Sequence, residues 1–180
     1  MASGQSRRFG GNKLFACYEG LPLYVRALSA LPASLFARAV VTSPYEDILS
    51  AGERAGYFPL PNLEAAEGVS ASIRLGLSAL VDTDGALFAV CDQPNLKTNS
   101  ILRLINCFMD SPSCIWALSW QGKRGNPVVF PQVLYPELLA LTGDRGGSVV
   151  IRRHPELLRL ASAGSPEELA DIDTPTDLAR

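Results

Sequence analysis

The feature that most constrains the fold of this chain is a regular alternation of short apolar runs with amphipathic segments. Short apolar runs predict strands, and segments with one apolar face predict helices. The run Ala86–Cys91 has no polar side chain, which is typical of a central parallel strand covered on both faces. The alternation predicts an α/β protein with a mostly parallel sheet. Predicted strands cover 37–42, 56–60, 86–91, 115–120, 128–130 and 157–161. Predicted helices cover 22–31, 46–55, 70–80, 132–141 and 147–153, and two more begin with Thr98 and Thr174 as their caps.

The composition argues against several classes of protein. With 180 residues and 47% hydrophobic content, the chain is predicted to form one domain over residues 1–180. A formal net charge of −2 argues against a nucleic-acid partner. The lack of a long apolar run argues against a membrane span and a secretion signal, so we expect a cytoplasmic protein. Four cysteines without a Cys-x-x-Cys pair and a single histidine, His154, argue against a structural zinc site and a Ser-His-Asp hydrolase.

The first 13 residues are rich in glycine and carry three positive charges, Arg7, Arg8 and Lys13, with no acid among them. Glycines permit backbone turns that bring N–H groups around an anion, and the cations suit a nucleotide triphosphate. The spacing matches neither the standard phosphate loop nor the dinucleotide-binding pattern. A flexible tail is the alternative interpretation.

A phosphate loop in a parallel α/β sheet normally follows a strand. Only Met1 and Ala2 stand ahead of this glycine-rich segment, whereas a typical strand needs about five or six residues. We therefore expect the chain to begin inside its first strand, so that the strand is truncated at a cost of several kcal/mol.

Two acidic positions are candidates for binding a metal ion. Asp92 directly follows the run Ala86–Cys91, at the carboxyl end of a predicted strand, where open α/β sheets bind their ligands. A carboxylate there suits Mg²⁺ on triphosphate oxygens, and a turn or helix cap is the alternative. In Asp171-Ile172-Asp173-Thr174-Pro175, the two acids point to opposite sides if the segment is extended, so at most one faces a given site. An ordinary helix start is the alternative for this segment.

Three further segments combine glycine with polar side chains. Gly68-Val69-Ser70-Ala71-Ser72 precedes a predicted helix, and either serine is a candidate for its N-cap. Gly125-Asn126-Pro127 and Thr142-Gly143-Asp144-Arg145-Gly146-Gly147 are candidate turns.

These segments together carry a resemblance to a known family. The spacing Gly4-x-Ser6-x-Arg8-x-Gly10-x-x-Lys13 resembles the signature loop of nucleotidyltransferases that process molybdenum cofactor, the MobA/MocA-like NTP transferases. Cys91-Asp92-Gln93-Pro94 resembles their metal-binding Asp-x-Pro element, and the segment starting at Asp171 resembles their C-terminal Asp-Ile-Asp-Thr-Pro element. The resemblance implies the three-layer Rossmann-like fold of nucleotide-diphospho-sugar transferases.

The resemblance also implies roles for individual residues. It implies that the catalytic residues are Arg8, Lys13 and Asp92, and that Mg²⁺ is bound by Asp92 and Asp173. Nucleotide binding falls to Ala2, Ser3, Gly4, Ser6, Arg8, Gly10, Lys13, Gly68, Ser70 and Ser72. Acceptor binding falls to Gly125, Asn126, Pro127 and Asp144. The family often has an arginine just after the Gly-Asp-x-Gly element, where this chain has Gly147-Ser148.

The implied reaction transfers a nucleoside monophosphate to the terminal phosphate of molybdenum cofactor and releases pyrophosphate. Met1-Ala2-Ser3-Gly4 is more similar to the loop entrance of cytidylyltransferases than to that of guanylyltransferases, which favours CTP over GTP. One alternative is a nucleotidyltransferase that acts on a sugar phosphate or another small phosphate. Another is a non-catalytic accessory protein that delivers cofactor to a molybdenum hydroxylase apoenzyme.

Overall fold

The computed structural model describes residues 1–2, 9, 11–80 and 82–179. In this part of the chain the strands are β1 Cys17–Tyr18, β2 Leu21–Pro22, β3 Val40–Ser43, β4 Phe58–Pro61, β5 Gly85–Phe88, β6 Ile115–Trp120, β7 Lys123–Pro131 and β8 Leu158–Ser162. The α-helices are α1 Leu23–Ala30, α2 Glu46–Arg54, α3 Val69–Ser78, α4 Thr98–Asp110, α5 Tyr135–Leu139 and α6 Ser148–Arg153. Short 3₁₀ segments cover Lys13–Phe15, Ala33–Leu35, Ala65–Glu67, Gln132–Leu134, Pro155–Leu157, Pro166–Leu169 and Pro175–Ala179.

The longer strands form two sheets. β3 and β4 pair in parallel, and β5-β7-β6-β8 form a four-stranded sheet in which β6 and β8 are parallel. The predicted α/β class is confirmed. The strand predicted at 86–91 is shifted to Gly85–Phe88, and its partner in the described chain is the antiparallel β7 rather than a parallel strand. The reason is that β7 returns directly from β6 and takes the place beside β5.

A two-residue turn joins β6 to β7. Gln121 and Gly122 have φ of 49° and 79°, the left-handed pair that a tight hairpin turn requires. The predicted excursion over 121–127 is therefore wrong, because β7 starts at Lys123 and includes Gly125-Asn126-Pro127. The register between β6 and β7 shifts between Ala117 and Ser119, so β7 bulges at these three residues, which lie opposite Leu118.

Helices cover both faces of the four-stranded sheet. Phe130 of β7 packs in a cluster with residues of α3, α5 and α6, whereas the adjacent Val129 packs in a second cluster with residues of α4. Successive residues of a strand point to opposite faces, so these two clusters are the two sides of the sheet. The three-layer arrangement expected from the sequence is present.

Two predicted helix caps are corrected by the structure. Thr98 is the first residue of α4 rather than its cap, which is Lys97, and the Thr98 hydroxyl donates to the Ala30 carbonyl. Gly68 occupies the cap position of α3, so neither Ser70 nor Ser72 caps that helix. Among the described residues, no helix has the length and apolar character needed to cross a membrane.

Candidate functional site

The structure brings together Lys13, Asp92 and Asp173 from three distant parts of the chain. The Lys13 ammonium lies 2.7 Å from Asp92 Oδ2 and 2.9 Å from Asp173 Oδ1. The Lys13 side chain is 12% exposed, and those of Asp92 and Asp173 are 21% and 49% exposed. One lysine thus bridges two carboxylates at the end of β5, open to solvent on the Asp173 side.

The C-terminal segment is held against the end of β5 by hydrogen bonds. The Ile172 N–H donates to the Asp92 carbonyl at 2.9 Å. Gln93, which is buried, donates from Nε2 to Asp171 Oδ1 at 2.9 Å and to the Leu169 carbonyl at 3.3 Å. These bonds place Asp171 on Gln93 and turn Asp173 towards Lys13. The alternation predicted for the two acids is confirmed, because only Asp173 reaches the lysine.

Gln93 makes structural contacts at the site that sequence reasoning missed. It stands between Asp92 and a proline and reads as part of a turn, whereas the structure makes it the clamp between two acidic segments. Its contacts join residues separated by more than 70 positions, so no local pattern could have indicated them.

Lys13 is positioned by a short 3₁₀ segment. Asn12 accepts the Leu14 N–H with its side-chain oxygen at 3.2 Å and so caps Lys13–Phe15. Leu14 is buried in a cluster with Ala27 and Val41. The cap and this apolar anchor fix the start of the lysine side chain close to Asp92.

The charges at this site perturb one another. Burial lowers the pKa of the Lys13 ammonium, but hydrogen bonds to Asp92 and Asp173 outweigh burial, and the net pKa is raised. Loss of solvent raises the pKa of the Asp171 carboxyl, the Asp92 carboxylate raises it further, and the hydrogen bond from Gln93 opposes both. The lysine therefore stays charged and neutralises the two acids that it contacts.

The carboxylates fit a divalent cation whose other ligands come from substrate. Among the residues that the structure describes, the buried Asp92 Oδ1 has no hydrogen-bond partner, which is costly for a carboxylate oxygen that is not bound to a cation. The described residues contain no group of three or more histidine, cysteine or acidic side chains that could hold a metal ion. Mg²⁺ commonly takes one or two carboxylates together with phosphate oxygens and water, and the pair Asp92 and Asp173 matches that requirement.

Gly68 and Asp144 meet at a second point. Gly68 has φ of 109°, and a Cβ there would lie 2.5 Å from Asp144 Oδ1 and 2.6 Å from the Gly143 carbonyl carbon. The Ser70 N–H donates to the Gly143 carbonyl at 3.2 Å. Only glycine permits this close approach, so the predicted nucleotide segment packs directly on the predicted acceptor segment.

The two serines beyond Gly68 are buried within the protein. Ser70 Oγ accepts from Arg74 at 3.2 Å, and Ser72 Oγ accepts from the side-chain amide of Asn62 at 3.0 Å. Both hydroxyls therefore bond inside the protein and support the start of α3.

The remaining predicted positions differ in their surroundings. Gly125 packs against Leu169, since a Cβ at Gly125 would lie 3.2 Å from that side chain, and Pro127 is buried in β7. Ala2 is buried and bonds to β3 through its N–H and the Thr42 carbonyl. Five predicted loop residues lie outside the described residues: Ser3, Gly4, Ser6, Arg8 and Gly10.

The fold and the site residues together define a class of protein. It is an α/β protein with a lysine and two acids at the end of a strand, which suits the binding of a phosphorylated ligand with a divalent cation. The comparisons identify the family: the model of the MobA-like NTP transferase domain matches residues 1–157, and the chain belongs to this family. The chain is thereby a nucleotidyltransferase-family protein. Asp173 lies beyond the matched range.

Three curated relatives align over almost the whole chain. The purine catabolism protein PucB of Bacillus subtilis is 24% identical, with 98% of this chain and 91% of the relative covered. Nicotine blue oxidoreductase of Paenarthrobacter nicotinovorans is 24% identical over 100% of this chain and 93% of the relative. A probable molybdenum cofactor guanylyltransferase of a Nostoc species is 27% identical over 99% and 86%. The names of these three relatives therefore describe different activities.

Solved structures confirm the fold. A homologue of Mycobacterium tuberculosis rv0371c from Mycobacterium sp. strain JC1 superposes with a TM-score of 0.81 and 22% identity, covering 99% of this chain and 90% of that chain. A nucleotidyl transferase from Methanothermobacter gives 0.80 and 18% identity over 99% and 92%. The manganese complex of Rv0371C from M. tuberculosis gives 0.71 and 20% identity over 87% and 83%.

Proposed function

We propose that this protein is a Mg²⁺-dependent nucleotidyltransferase that transfers CMP from CTP to the terminal phosphate of molybdenum cofactor. The observation that carries the proposal is the bridge from Lys13 to Asp92 and Asp173, together with the buried Asp92 Oδ1, which has no partner in the described part of the chain. Family membership supports nucleotide transfer, and the Nostoc relative, named as a molybdenum cofactor enzyme, supports the acceptor. The choice of CTP rests on the loop entrance Met1-Ala2-Ser3-Gly4.

The reaction is an attack by an acceptor phosphate oxygen on the α-phosphorus of CTP. A new phosphorus–oxygen bond forms, the bond to the β-phosphate oxygen breaks, and pyrophosphate leaves with the electron pair. Little covalent chemistry is asked of the protein, so positioning and charge neutralisation carry the rate.

Lys13 is the cation that meets the triphosphate. In the structure its ammonium neutralises Asp92 and Asp173, which supports its proposed role towards a phosphate bound at this end of β5. Arg8, with Ser3, Gly4, Ser6 and Gly10, is proposed to close the loop around the same phosphates.

Asp92 and Asp173 are the residues that would hold Mg²⁺. Bound there, the ion would supply charge to the transferring phosphates that the protein side chains alone do not. Among the described residues Asp92 Oδ1 is buried and has no competing partner, and Asp173 is half exposed, so a cation held between them would meet substrate on the Asp173 side. The manganese complex of a structural neighbour supports divalent-cation binding in this fold.

The acceptor is proposed to lie near the contact between Gly68 and Asp144. At that contact the start of α3 packs against an exposed acid, which supports a role for both segments in binding the nucleotide and the acceptor. Gly125, Asn126 and Pro127 are proposed to shape the acceptor side, supported from behind by Leu169.

The test is pyrophosphate release with Mg²⁺ and molybdenum cofactor, compared for CTP, GTP, UTP and ATP. Release with CTP alone is the expected result. Release with GTP alone would keep the nucleotidyltransferase and overturn the nucleotide assignment. Release only when a sugar phosphate replaces the cofactor would overturn the acceptor. Tight nucleotide binding without release under any of these conditions would overturn catalysis in favour of a carrier.

A further inference from the structure

Glu168 is a buried acidic side chain that the proposed reaction does not use. It is fully buried and lies in the short 3₁₀ segment Pro166–Leu169, after β8. Glutamate is almost never fully buried unless other groups compensate for the water that it loses. In this protein backbone N–H groups from two separate parts of the chain provide that compensation.

The two carboxylate oxygens of Glu168 bond to different elements. Oε2 accepts the N–H of Lys97, the cap residue of α4, at 3.2 Å. Oε1 accepts the N–H of Gly164, just after β8, at 2.8 Å. A negative charge is favoured at the start of a helix, where backbone N–H groups have no partner within the helix. Glu168 therefore ties the segment that follows β8 to the start of α4.

Gly164 leaves the space that this carboxylate occupies. A Cβ at Gly164 would lie 2.6 Å from Glu168 Oε1, which is closer than real contacts allow. The Gly164 N–H also lies 3.3 Å from the hydroxyl oxygen of Ser100, a buried residue in the first turn of α4. Any side chain at position 164 would therefore push the carboxylate out of its place beside α4.

From this carboxylate the chain leads directly to the candidate metal site. After Leu169 the backbone forms neither helix nor strand as far as Asp173. The Leu169 carbonyl accepts from Gln93 Nε2 at 3.3 Å. The Ile172 N–H donates to the Asp92 carbonyl at 2.9 Å, and the Ile172 side chain is buried. The position of Asp173 therefore depends on the bonds of the residues just before it rather than on regular structure.

We propose that Glu168 is a positioning residue for the metal site. Its bonds to α4 and Gly164 hold the C-terminal segment where Asp173 can share a divalent cation with Asp92. The inference rests on the metal-binding role proposed above for Asp173, but not on the identity of the nucleotide or the acceptor. Because Asp92 is held by the end of β5, loss of the Glu168 bonds should weaken metal binding through Asp173 alone.

The test is Mn²⁺ binding to the full chain carrying Glu168→Gln, measured from the electron paramagnetic resonance signal of free Mn²⁺. Glutamine keeps the size of the side chain, but its amide nitrogen is a donor, so one of the two backbone N–H groups loses its acceptor. Glu167→Gln, at the exposed neighbouring position, is the matched control. Both substitutions are measured alone and together with Asp173→Asn. Amide hydrogen exchange at Ile172 and the midpoint of thermal unfolding are recorded for every protein.

The expected result is a loss of about tenfold in Mn²⁺ affinity for Glu168→Gln and no loss for Glu167→Gln. Exchange at the Ile172 N–H should become about tenfold faster in Glu168→Gln alone of the two. In the presence of Asp173→Asn, which itself weakens Mn²⁺ binding, Glu168→Gln should cause no further loss.

Gly164→Ala is a second variant, and it decides the question if Glu168→Gln does not fold. It keeps the charge but displaces the carboxylate, so Mn²⁺ affinity should fall in the original chain and not in the Asp173→Asn chain. Equal losses with and without Asp173→Asn would show a general structural role and would overturn positioning through Asp173.

Two further outcomes separate this inference from the proposed function. Weaker Mn²⁺ binding in Asp173→Asn but unchanged binding in Glu168→Gln would overturn the role of Glu168 and keep the metal site. Unchanged Mn²⁺ binding in Asp173→Asn would overturn the metal-binding role of Asp173, and the inference with it.

Discussion

The space between β3 and β5 has two ends that are filled in opposite ways. At the carboxyl end, Met1 and Ala2 bond to both walls, and Lys13 crosses to Asp92 and Asp173. Towards the amino end, the same two walls enclose an apolar groove, and no strand of the described residues lies between them. The polar end is filled by the first two residues and by the Lys13 side chain. At the apolar end, the strand edges on both sides of the groove stay open.

The difference indicates that the charged residues of the candidate site and the apolar packing of the sheet depend on largely different contacts. The charged groups depend on short local anchors: the 3₁₀ segment at Lys13, the end of β5 and the Gln93 clamp. Of these anchors, only the end of β5 also lines the groove. We therefore expect changes at the charged end to alter chemistry with little loss of stability, and changes at the groove to alter stability first.

The largest effect is expected for Asp92→Asn. The substitution keeps the shape of the side chain but removes the charge that pairs with Lys13 and would hold Mg²⁺, so pyrophosphate release should fall by about 10²–10³-fold. Asp110→Asn, at the exposed end of α4, is the matched control and should retain full activity. Thermal unfolding should change by no more than about 4 °C in either variant. If Asp92→Asn loses activity only because the protein is unfolded, the expectation that this residue serves chemistry rather than stability would be contradicted.

At the groove, Gly85→Ala should destabilise the fold. A Cβ at Gly85 would lie 2.2 Å from Phe108 Cζ, so the buried ring must move, at about 1–3 kcal/mol of unfolding free energy. Gly76→Ala is the control: its Cβ would meet Thr42 Cγ2 at 3.5 Å, and the helix should gain up to about 1 kcal/mol. Urea unfolding measures both, and a neutral Gly85→Ala would mean that this wall is loosely packed.

A smaller effect is expected for metal binding without nucleotide. The Lys13 ammonium occupies the space between the two carboxylates, so Lys13→Met should tighten Mn²⁺ binding by roughly tenfold. Calorimetry, or the electron paramagnetic resonance signal of free Mn²⁺, measures the affinity. Adding Asp92→Asn to Lys13→Met should reverse the gain in affinity. Equal affinity in the original chain and Lys13→Met would place the metal elsewhere.

The smallest effect concerns an exposed ion pair far from both ends. The hydrogen bond to Glu137 raises the pKa of His154 above its ordinary value of 6.5, and the same bond lowers the pKa of Glu137. The histidine's contribution to stability is fully present below pH 6.5 and is lost as pH rises through the raised value. Glu137's contribution is lost as pH falls through its lowered value.

Glu137→Gln should therefore lower the pKa of His154 towards 6.5, with little change in thermal midpoint. His154 is the only histidine in the chain, so its NMR titration is unambiguous. Glu156→Gln, whose carboxylate lies 3.5 Å from Nδ1, should lower it less. An equal effect of the two substitutions would show that the Glu137 hydrogen bond is not the main cause.

Local patterns predicted the α/β class and placed Asp92 at the end of a strand, whereas the family resemblance implied that Lys13, Asp92 and Asp173 share one site. Apolar periodicity is a property of neighbouring residues, and the strand-end rule carries Asp92 to the ligand side of the sheet. The antiparallel pairing of β5 with β7 was missed because strand neighbours are chosen by long-range packing. The tight turn at Gln121-Gly122 was missed because Gly125 and Pro127 favour a loop when read alone.

The side-chain partners at the site were only partly predictable. The alternation of Asp171 and Asp173 follows from extended backbone and is confirmed, but the Gln93 clamp depends on contacts across the fold. The role of Gly68 as a close-approach position follows from the left-handed backbone that it adopts, which no neighbouring residue reveals.

The most direct test of the central claim is pyrophosphate release from CTP, with Mg²⁺ and molybdenum cofactor, by the Lys13→Ala chain. Lys97→Ala, which removes an exposed lysine outside the site, is the matched control. We predict that Lys13→Ala loses about 10²-fold or more in turnover, while its midpoint of thermal unfolding stays close to that of the control. Turnover equal to that of Lys97→Ala would contradict the assignment of Lys13 to the phosphates.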